Sequence, residues 1–267
     1  MKVRRSLAIL LRYGYLLRGS TTRVVPLFAW SVIDIVLWGF ITKYFGTFVS
    51  GEVRLVPMLL GAVLFWDFFT RIMQGLTTTF LEDVWSRNFL NLFASPISVS
   101  EYLGGLILTT LLTSTVGLIA MILFATLGFG LPMLVYGSML IPFILILVLF
   151  GISFGLFACA LVLRLGPASE WFVWPIPAIL APFAGVFYPT ATLPVWMQWF
   201  SRLLPASYIF DGMREVVRHG SMDPASLILP FTIATGYIAL AWYTFSRVFR
   251  LAVRTGLIAR YSAESVS

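Results

Sequence analysis

Long apolar segments dominate this sequence, and charged residues fall mainly between them. Residues 102–163 contain no charged side chain, and shorter apolar runs lie before and after this stretch. A helix needs about 20 apolar residues to cross the hydrocarbon core of a bilayer. The pattern therefore predicts an all-α chain with six membrane-spanning helices, at residues 24–45, 55–77, 103–129, 132–163, 171–188 and 226–248.

Glycine and proline refine these spans. The charge-free run is too long for one helix, and Gly128-Phe129-Gly130-Leu131-Pro132 predicts a turn that divides it in two. The fifth span is short and contains Pro175, Pro177 and Pro182, so a kinked helix is expected there. Neighbouring helices can accommodate such a kink.

Composition agrees with a membrane protein. Of 267 residues 60% are hydrophobic and 11% are charged, and a water-soluble domain of this size could not cover so much apolar surface. We expect residues 1–267 to form one transmembrane domain with no soluble module. Cys159 is the single cysteine, so no disulfide within the chain is possible. Arg12 interrupts the first apolar stretch, so a cleaved signal peptide is not expected.

Basic residues are distributed unevenly between the two sides of the membrane. Six spans place both termini on one side, which holds Lys2, Arg4, Arg5, Arg12, Arg18, Arg23, Arg87, Arg164, Arg247, Arg250, Arg254 and Arg260. The other side holds Lys43, Arg54, Arg202, Arg214 and Arg218. Short loops rich in Lys and Arg remain in the cytoplasm, so we expect a multi-pass inner-membrane protein with cytoplasmic termini. This asymmetry explains the net charge of +7 without nucleic acid.

The N-terminal segment, within residues 1–23, has the pattern of an amphipathic helix on the cytoplasmic leaflet. One half carries Val3, Leu7, Leu10, Leu11, Tyr13, Gly14 and Leu17. The other half carries Lys2, Arg4, Arg5 and Arg12, with Ile9 and Leu16 as exceptions. Membrane lipids are its expected partners. A simple lipid anchor and a docking element for a partner protein both fit this pattern.

A second amphipathic segment follows the second span. Acidic residues suit its start and Pro96 follows its end, which predicts a short cytoplasmic helix. Its candidate contact residues are Glu82, Asp83, Trp85, Arg87, Phe89, Leu92 and Phe93. Such a helix could lie in the membrane interface, or it could insert its apolar face into a groove on another protein.

The loop at residues 189–225 contains two further amphipathic pieces, on the expected outer side. Together they predict a re-entrant helical hairpin, whose tip would need protein or water around it. Its candidate path residues are Pro194, Trp196, Trp199, Pro205, Tyr208 and Arg214. The aromatic side chains fit either an interfacial aromatic belt or a surface on which a glycan stacks.

Three charged residues fall inside predicted spans. Asp67 and Arg71 are four residues apart on one helix face, and Asp34 lies at a similar depth in the first span. Because an unpaired charge there is costly, we expect Arg71 to pair with Asp67, Asp34 or both. The cluster could line a transport path or hold two helices together. A proton-coupled carrier that uses Asp34 and Asp67 is an alternative function, although no internal repeat of the kind many carriers show is evident.

The sequence contains only weak matches to catalytic, nucleotide-binding and metal-binding motifs. No Gly-rich turn followed by Lys is present, so ATP would have to be hydrolysed by another chain. Gly151-Ile152-Ser153-Phe154-Gly155 matches a nucleophile pattern, but it lies within a predicted helix. A small-xxx-small packing face at Gly151 and Gly155 is the alternative to an intramembrane serine protease that uses Ser153. One histidine, His219, and one cysteine make a metal site improbable, and none is predicted.

The order of these segments resembles the type-2 ABC exporter permeases. The resemblance rests on two basic ends, six spans, Ser95-Pro96-Ile97 after the cytoplasmic helix, and the hairpin. The hairpin sequences that carry it are Leu193-Pro194-Val195-Trp196, Leu204-Pro205-Ala206-Ser207-Tyr208 and Gly212-Met213-Arg214. It covers nearly the whole chain.

The resemblance implies a homodimer, or a pair with a paralogous permease. Two copies of a separate P-loop ATPase, which bind ATP and Mg, would complete the exporter, and this chain would itself be neither an enzyme nor a cofactor-binding protein. Residues 82–94 would be the coupling helix, and residues 190–218 would line the outer end of the path. The family exports polysaccharides, teichoic acids, lipids and drugs, so a cell-surface glycan, a lipid-linked substrate or a drug is expected.

Overall fold

Helices provide the regular secondary structure of this computed structural model, which describes residues 3–19, 21–48, 56–86, 92 and 95–256. No strand occurs within these residues. In chain order the helices are α1 Val3–Arg18, α2 Thr21–Gly46, α3 Gly61–Trp85, α4 Val99–Phe129, α5 Leu140–Leu165, α6 Glu170–Val173, α7 Ile176–Ala184, α8 Val195–Leu203, α9 Pro205–His219 and α10 Ile228–Arg254.

Four helical segments of the described residues are long and apolar enough to cross a membrane. They are Val56–Trp85, Val99–Phe129, Met133–Leu165 and Pro224–Arg254, and they correspond to the second, third, fourth and sixth predicted spans. Helix α2 covers the first predicted span with 26 residues, or about 39 Å at the rise of an α-helix. The chain is therefore a multi-pass membrane protein.

The segment predicted as a kinked helix at residues 171–188 is interrupted in the structure, and as a membrane span it stays a prediction. The structure has the four-residue helix α6 and the nine-residue helix α7 in this region, with a turn between them at Pro175. Helix α7 is about 13 Å long, which is less than half of the hydrocarbon core. Proline lacks a backbone donor, so Pro175 and Pro177 interrupt the helix, whereas Pro182 lies within α7. The count of six spans stays a prediction.

Helix α3 extends further than expected. Its predicted end was residue 77, but the helix continues to Trp85 because Phe80, Leu81 and Val84 keep an apolar face buried against the core. Glu82 and Asp83 consequently lie in the last turn of α3. The expectation that they begin a separate helix is wrong.

The core is built around α3 and α5. In the spans that contain α3 and α5, 61% of the most apolar segment is buried within the protein. The value for the span that contains α10 is 22%, so α10 lies at the periphery. Close contact of α3 with α5 depends on glycine. A Cβ at Gly151 would lie 2.9 Å from Ile72, and one at Gly155 would lie 2.9 Å from Leu76.

Helix α4 begins and ends with specific capping interactions. The Ser98 hydroxyl accepts a hydrogen bond from the Glu101 amide at 3.3 Å, and the Glu101 carboxylate accepts one from the Ser98 amide at 3.1 Å. This reciprocal arrangement satisfies two donors that a helix start leaves free. Gly130 ends the helix with φ 67°, within the turn that the glycine and proline pattern predicts.

Candidate functional site

Two buried carboxylates hold α1 against the neighbouring ends of α3 and α4. Asp83 is 3% exposed and accepts hydrogen bonds from Arg12 and, at 2.9 Å, from the Tyr102 hydroxyl. Glu101 is 4% exposed and accepts one from Arg5 at 3.2 Å. A buried carboxylate is costly without a partner, so these contacts fix the position of α1. We name Arg5, Arg12, Asp83 and Glu101 the docking cluster.

Helix α1 packs inward with the face that carries Arg5, Ile9 and Arg12. Ile9 is buried against the α-carbon of Gly105, where a Cβ would lie 2.7 Å from the Ile9 Cβ. The apolar residues Val3, Leu7 and Leu11 are exposed on the other side of the helix. Helix α1 therefore docks on its own chain with its basic side and presents its apolar side outward, where lipid can cover it.

The predicted coupling residues lie at or beyond the end of α3. Glu82, Asp83 and Trp85 belong to its last turn, and the side chain of Trp85 is 51% exposed. Leu92 is half-buried and packs against the core. The remaining candidates, Arg87, Phe89 and Phe93, lie outside the described residues. The docking cluster thus shares Asp83 with the segment that is predicted to contact a partner.

The three charged residues predicted inside the membrane are brought together. Arg71 donates to the Asp67 carboxylate at 3.0 Å, and both side chains are largely buried. Asp34 on α2 is half-buried and interacts electrostatically with both of them. Gly117 of α4 makes room for this arrangement, because a Cβ there would lie 2.8 Å from an Arg71 nitrogen. The cluster joins three helices, as expected of paired charges in a membrane.

Arg214 links α9 to the end of α7. Its guanidinium donates to the carbonyls of Gly185 and Val186, the latter at 2.9 Å, and to the Asp211 carboxylate at 2.9 Å. Burial lowers the pKa of Arg214 from its ordinary value, while the charge of Asp211 opposes this shift. Carbonyls at a helix end lack partners within the helix, so a planar cation there is stabilising. Arg214 therefore holds the hairpin in place.

The remaining hairpin candidates occupy two helices and their starts. Pro194 precedes α8, and Pro205 is the first residue of α9, where a missing backbone donor has no cost. Trp196 and Trp199 are exposed on the apolar face of α8. The Tyr208 hydroxyl donates to a main-chain carbonyl at 3.0 Å and is part of a groove between α8 and α9.

The Gly151–Gly155 segment packs helices within one subunit. Both glycines contact α3, and Ser153 between them is fully buried and donates to the Leu149 carbonyl of its own helix at 2.7 Å. A nucleophile elbow requires a strand, a sharp turn and a helix, whereas this segment is helical throughout. In the described part of the chain no group of three His, Cys, Asp or Glu residues could hold a metal ion.

The amino-acid sequence matches one family of membrane transport proteins. The family model described as ABC-2 type transporter matches residues 8–217. The chain belongs to this family. The match runs from within α1 to near the end of α9. It includes Arg12, Asp83 and Glu101 of the docking cluster, the intramembrane charges and the hairpin, whereas Arg5 lies before it. A comparison with curated proteins found no match.

Family membership gives the chain a role as a permease component of an ABC transporter. The family is a membrane transport component that is not itself catalytic, and it implies partnership with an ABC ATPase. The sequence pattern indicated the pairing of Arg71 with Asp67. It gave no sign of the contacts of Tyr102, Gly105 and Gly117. For Arg5 and Arg12 a signal was present, because they lie seven residues apart and so share a face with Ile9.

Proposed function

We propose that this chain is the membrane-spanning subunit of an ATP-driven exporter in the inner membrane. In this proposal it crosses the membrane six times with cytoplasmic termini, and it works as a homodimer or with a paralogous permease. Two copies of a separate P-loop ATPase bind ATP and Mg on the cytoplasmic side. The family match supports the permease role, and the basic residues at both ends support the orientation.

The observation that carries the proposal is the docking cluster at the end of α3. Helices α1, α3 and α4 meet there through ion pairs whose carboxylates are buried, so a displacement of the following segment would be passed to several helices of the membrane domain. Trp85 is the exposed side chain at this end. Aromatic side chains contribute strongly to protein–protein interfaces, so an exposed tryptophan beside the docking cluster is a candidate for contact with an ATPase.

Co-purification tests this assignment. The tagged chain is solubilised from its native membrane in mild detergent, and its partners are identified by mass spectrometry and ATPase assay. We expect a stoichiometric P-loop ATPase that is lost when Trp85→Asp and Phe89→Asp are combined. Leu134→Asp is the matched control. Leu134 is exposed in the connection between the end of α4 and the start of α5, whereas the docking cluster lies at the start of α4. A chain that purifies alone, without ATPase activity, would contradict the proposal.

The proposed substrate is a cell-surface glycan, a lipid-linked molecule or a drug. The exposed aromatic surface of Trp196 and Trp199 supports an amphipathic or glycan substrate, since sugar rings and apolar groups both pack on aromatic faces. Export of radiolabelled glycan, lipid and drug candidates by reconstituted complexes would distinguish them. Trp199→Ala should reduce export of the true substrate, and unchanged export would assign these side chains to lipid contact alone.

A further inference from the structure

A polar groove lies between α8, α9 and the connection to α10. Its volume is about 360 Å³, which is within the range of small-ligand sites. Residues from three separate parts of the chain form its walls, including Gln198, Tyr208, Glu215 and Ser226. Its lining includes Tyr208, one of the candidate path residues of the hairpin.

Hydrogen-bond donors in the walls are already used by the protein. The hydroxyls of Ser201, Ser207 and Tyr208 each donate to a main-chain carbonyl, at 2.6, 2.6 and 3.0 Å. The amide nitrogen of Gln198 donates to two main-chain carbonyls, at 2.9 and 3.4 Å. A hydroxyl or an amide used in this way still offers lone pairs, so these side chains present acceptors to the groove.

The charges of the groove are one free carboxylate and one guanidinium. Asp211 is held by Arg214 at 2.9 Å and by Thr190. Glu215 lies four residues after Asp211 on α9 and is exposed, and within residues 95–256 no ion pair or hydrogen bond of its side chain is found. The guanidinium of Arg202 stacks over the Trp199 ring at 4.8 Å, which leaves its edge donors available.

We propose that this groove binds a zwitterionic group in which an ammonium is linked to a phosphate. The ammonium has three donors and a positive charge, which match Glu215 and the acceptors of the wall. The phosphate matches Arg202, whose planar guanidinium recognises phosphate oxygens. A simple metal cation would satisfy Glu215 but would be repelled by Arg202. The group could belong to a membrane lipid with a phosphoethanolamine headgroup or to a soluble molecule.

Titration of the purified full-length protein with glycerophosphoethanolamine tests the site, with binding measured by calorimetry. We expect saturable binding, and glycerophosphoglycerol, which lacks the ammonium, should bind at least about ten-fold more weakly, the effect of one lost charged hydrogen bond. Equal binding of the two probes would overturn the proposal, and so would the absence of binding.

Variants of α9 assign the contact to a residue. Glu215→Gln should weaken binding about ten-fold, and Glu215→Asp should retain part of it. Arg218→Gln is the matched control, since Arg218 is exposed three residues further along α9 and does not line the groove. Equal affinities of the wild-type and Glu215→Gln proteins, with equal unfolding temperatures, would refute the site. Mass spectrometry of co-purified lipid then identifies the source, because lipid lost only from Glu215→Gln indicates a membrane lipid and retained lipid indicates a soluble ligand.

Discussion

Arg12 of α1 donates a hydrogen bond to Asp83 in the last turn of α3, across 71 residues of sequence. The contact connects a surface helix to the point at which a central membrane helix ends. Since Asp83 also accepts a hydrogen bond from Tyr102 of α4, one carboxylate joins three helices. In an exporter this point would transmit motion of the ATPase into the membrane domain.

Removal of Arg12 should destabilise the protein, because Asp83 would remain buried without its counter-charge. Loss of one partner of a fully buried pair costs about 3–5 kcal/mol, and we expect about 2 kcal/mol here since the Arg12 side chain is 35% exposed. The unfolding temperature of Arg12→Gln in mild detergent measures the effect. Asp83→Asn in the same background should restore part of it, because a neutral amide needs no counter-charge.

Arg4→Gln is the matched control for this prediction. Arg4 lies on the same helix and is exposed, and surface substitutions usually change stability by less than about 0.5 kcal/mol. Equal unfolding temperatures of Arg4→Gln and Arg12→Gln would show that the pair does not hold α1.

Gly155→Leu should disrupt the contact between α3 and α5. A Cβ at this position would lie 3.1 Å from the Met73 carbonyl oxygen, and backbone cannot move aside as a flexible side chain can. Overpacking typically costs about 1–3 kcal/mol, and a leucine here should reach the upper end of this range. Gly236→Leu on α10 is the control, since nothing lies within 4 Å of its Cβ position. A comparable loss of thermal stability in both variants would contradict packing within the subunit.

The long apolar helices could be predicted from the sequence because lipid imposes a length and forbids charge. The residues at which these helices begin and end were harder to predict. Helix α3 continues beyond its predicted end because Leu81 and Val84 are buried in the core, and hydrophobic periodicity alone does not show which residues reach the core. Pro175, Pro177 and Pro182 predict a kink, but whether a helix bends or breaks depends on neighbours that the sequence does not show. In the same way a glycine such as Gly117 has no distinctive signal until Arg71 of another helix occupies its free space.

Arg214→Lys should destabilise the hairpin although it preserves the charge. Lysine carries its donors on one nitrogen, so it cannot reach Asp211 and the two carbonyls at the end of α7 as the guanidinium does. A buried carbonyl left without a partner costs about 1–3 kcal/mol. The unfolding temperature and limited proteolysis between α7 and α9 report this loss. Arg218→Lys, at an exposed position of the same helix, is the control and should leave the unfolding temperature and the proteolysis unchanged. If Arg214→Lys also changes neither, a positive charge alone is required at residue 214.

Asp34→Asn separates an ATP-driven exporter from a proton-coupled carrier. Arg71 is bonded to Asp67, so neutralising Asp34 leaves the ion pair of α3 in place, and we expect ATP-driven export to remain within about two-fold of wild type. Transport into inverted vesicles is measured with and without ATP, and with a protonophore that collapses the proton gradient. In an exporter the removal of ATP abolishes transport in both proteins, and the protonophore changes neither. Transport that needs the gradient but not ATP, and that Asp34→Asn abolishes, would instead make Asp34 a proton carrier and refute the exporter mechanism.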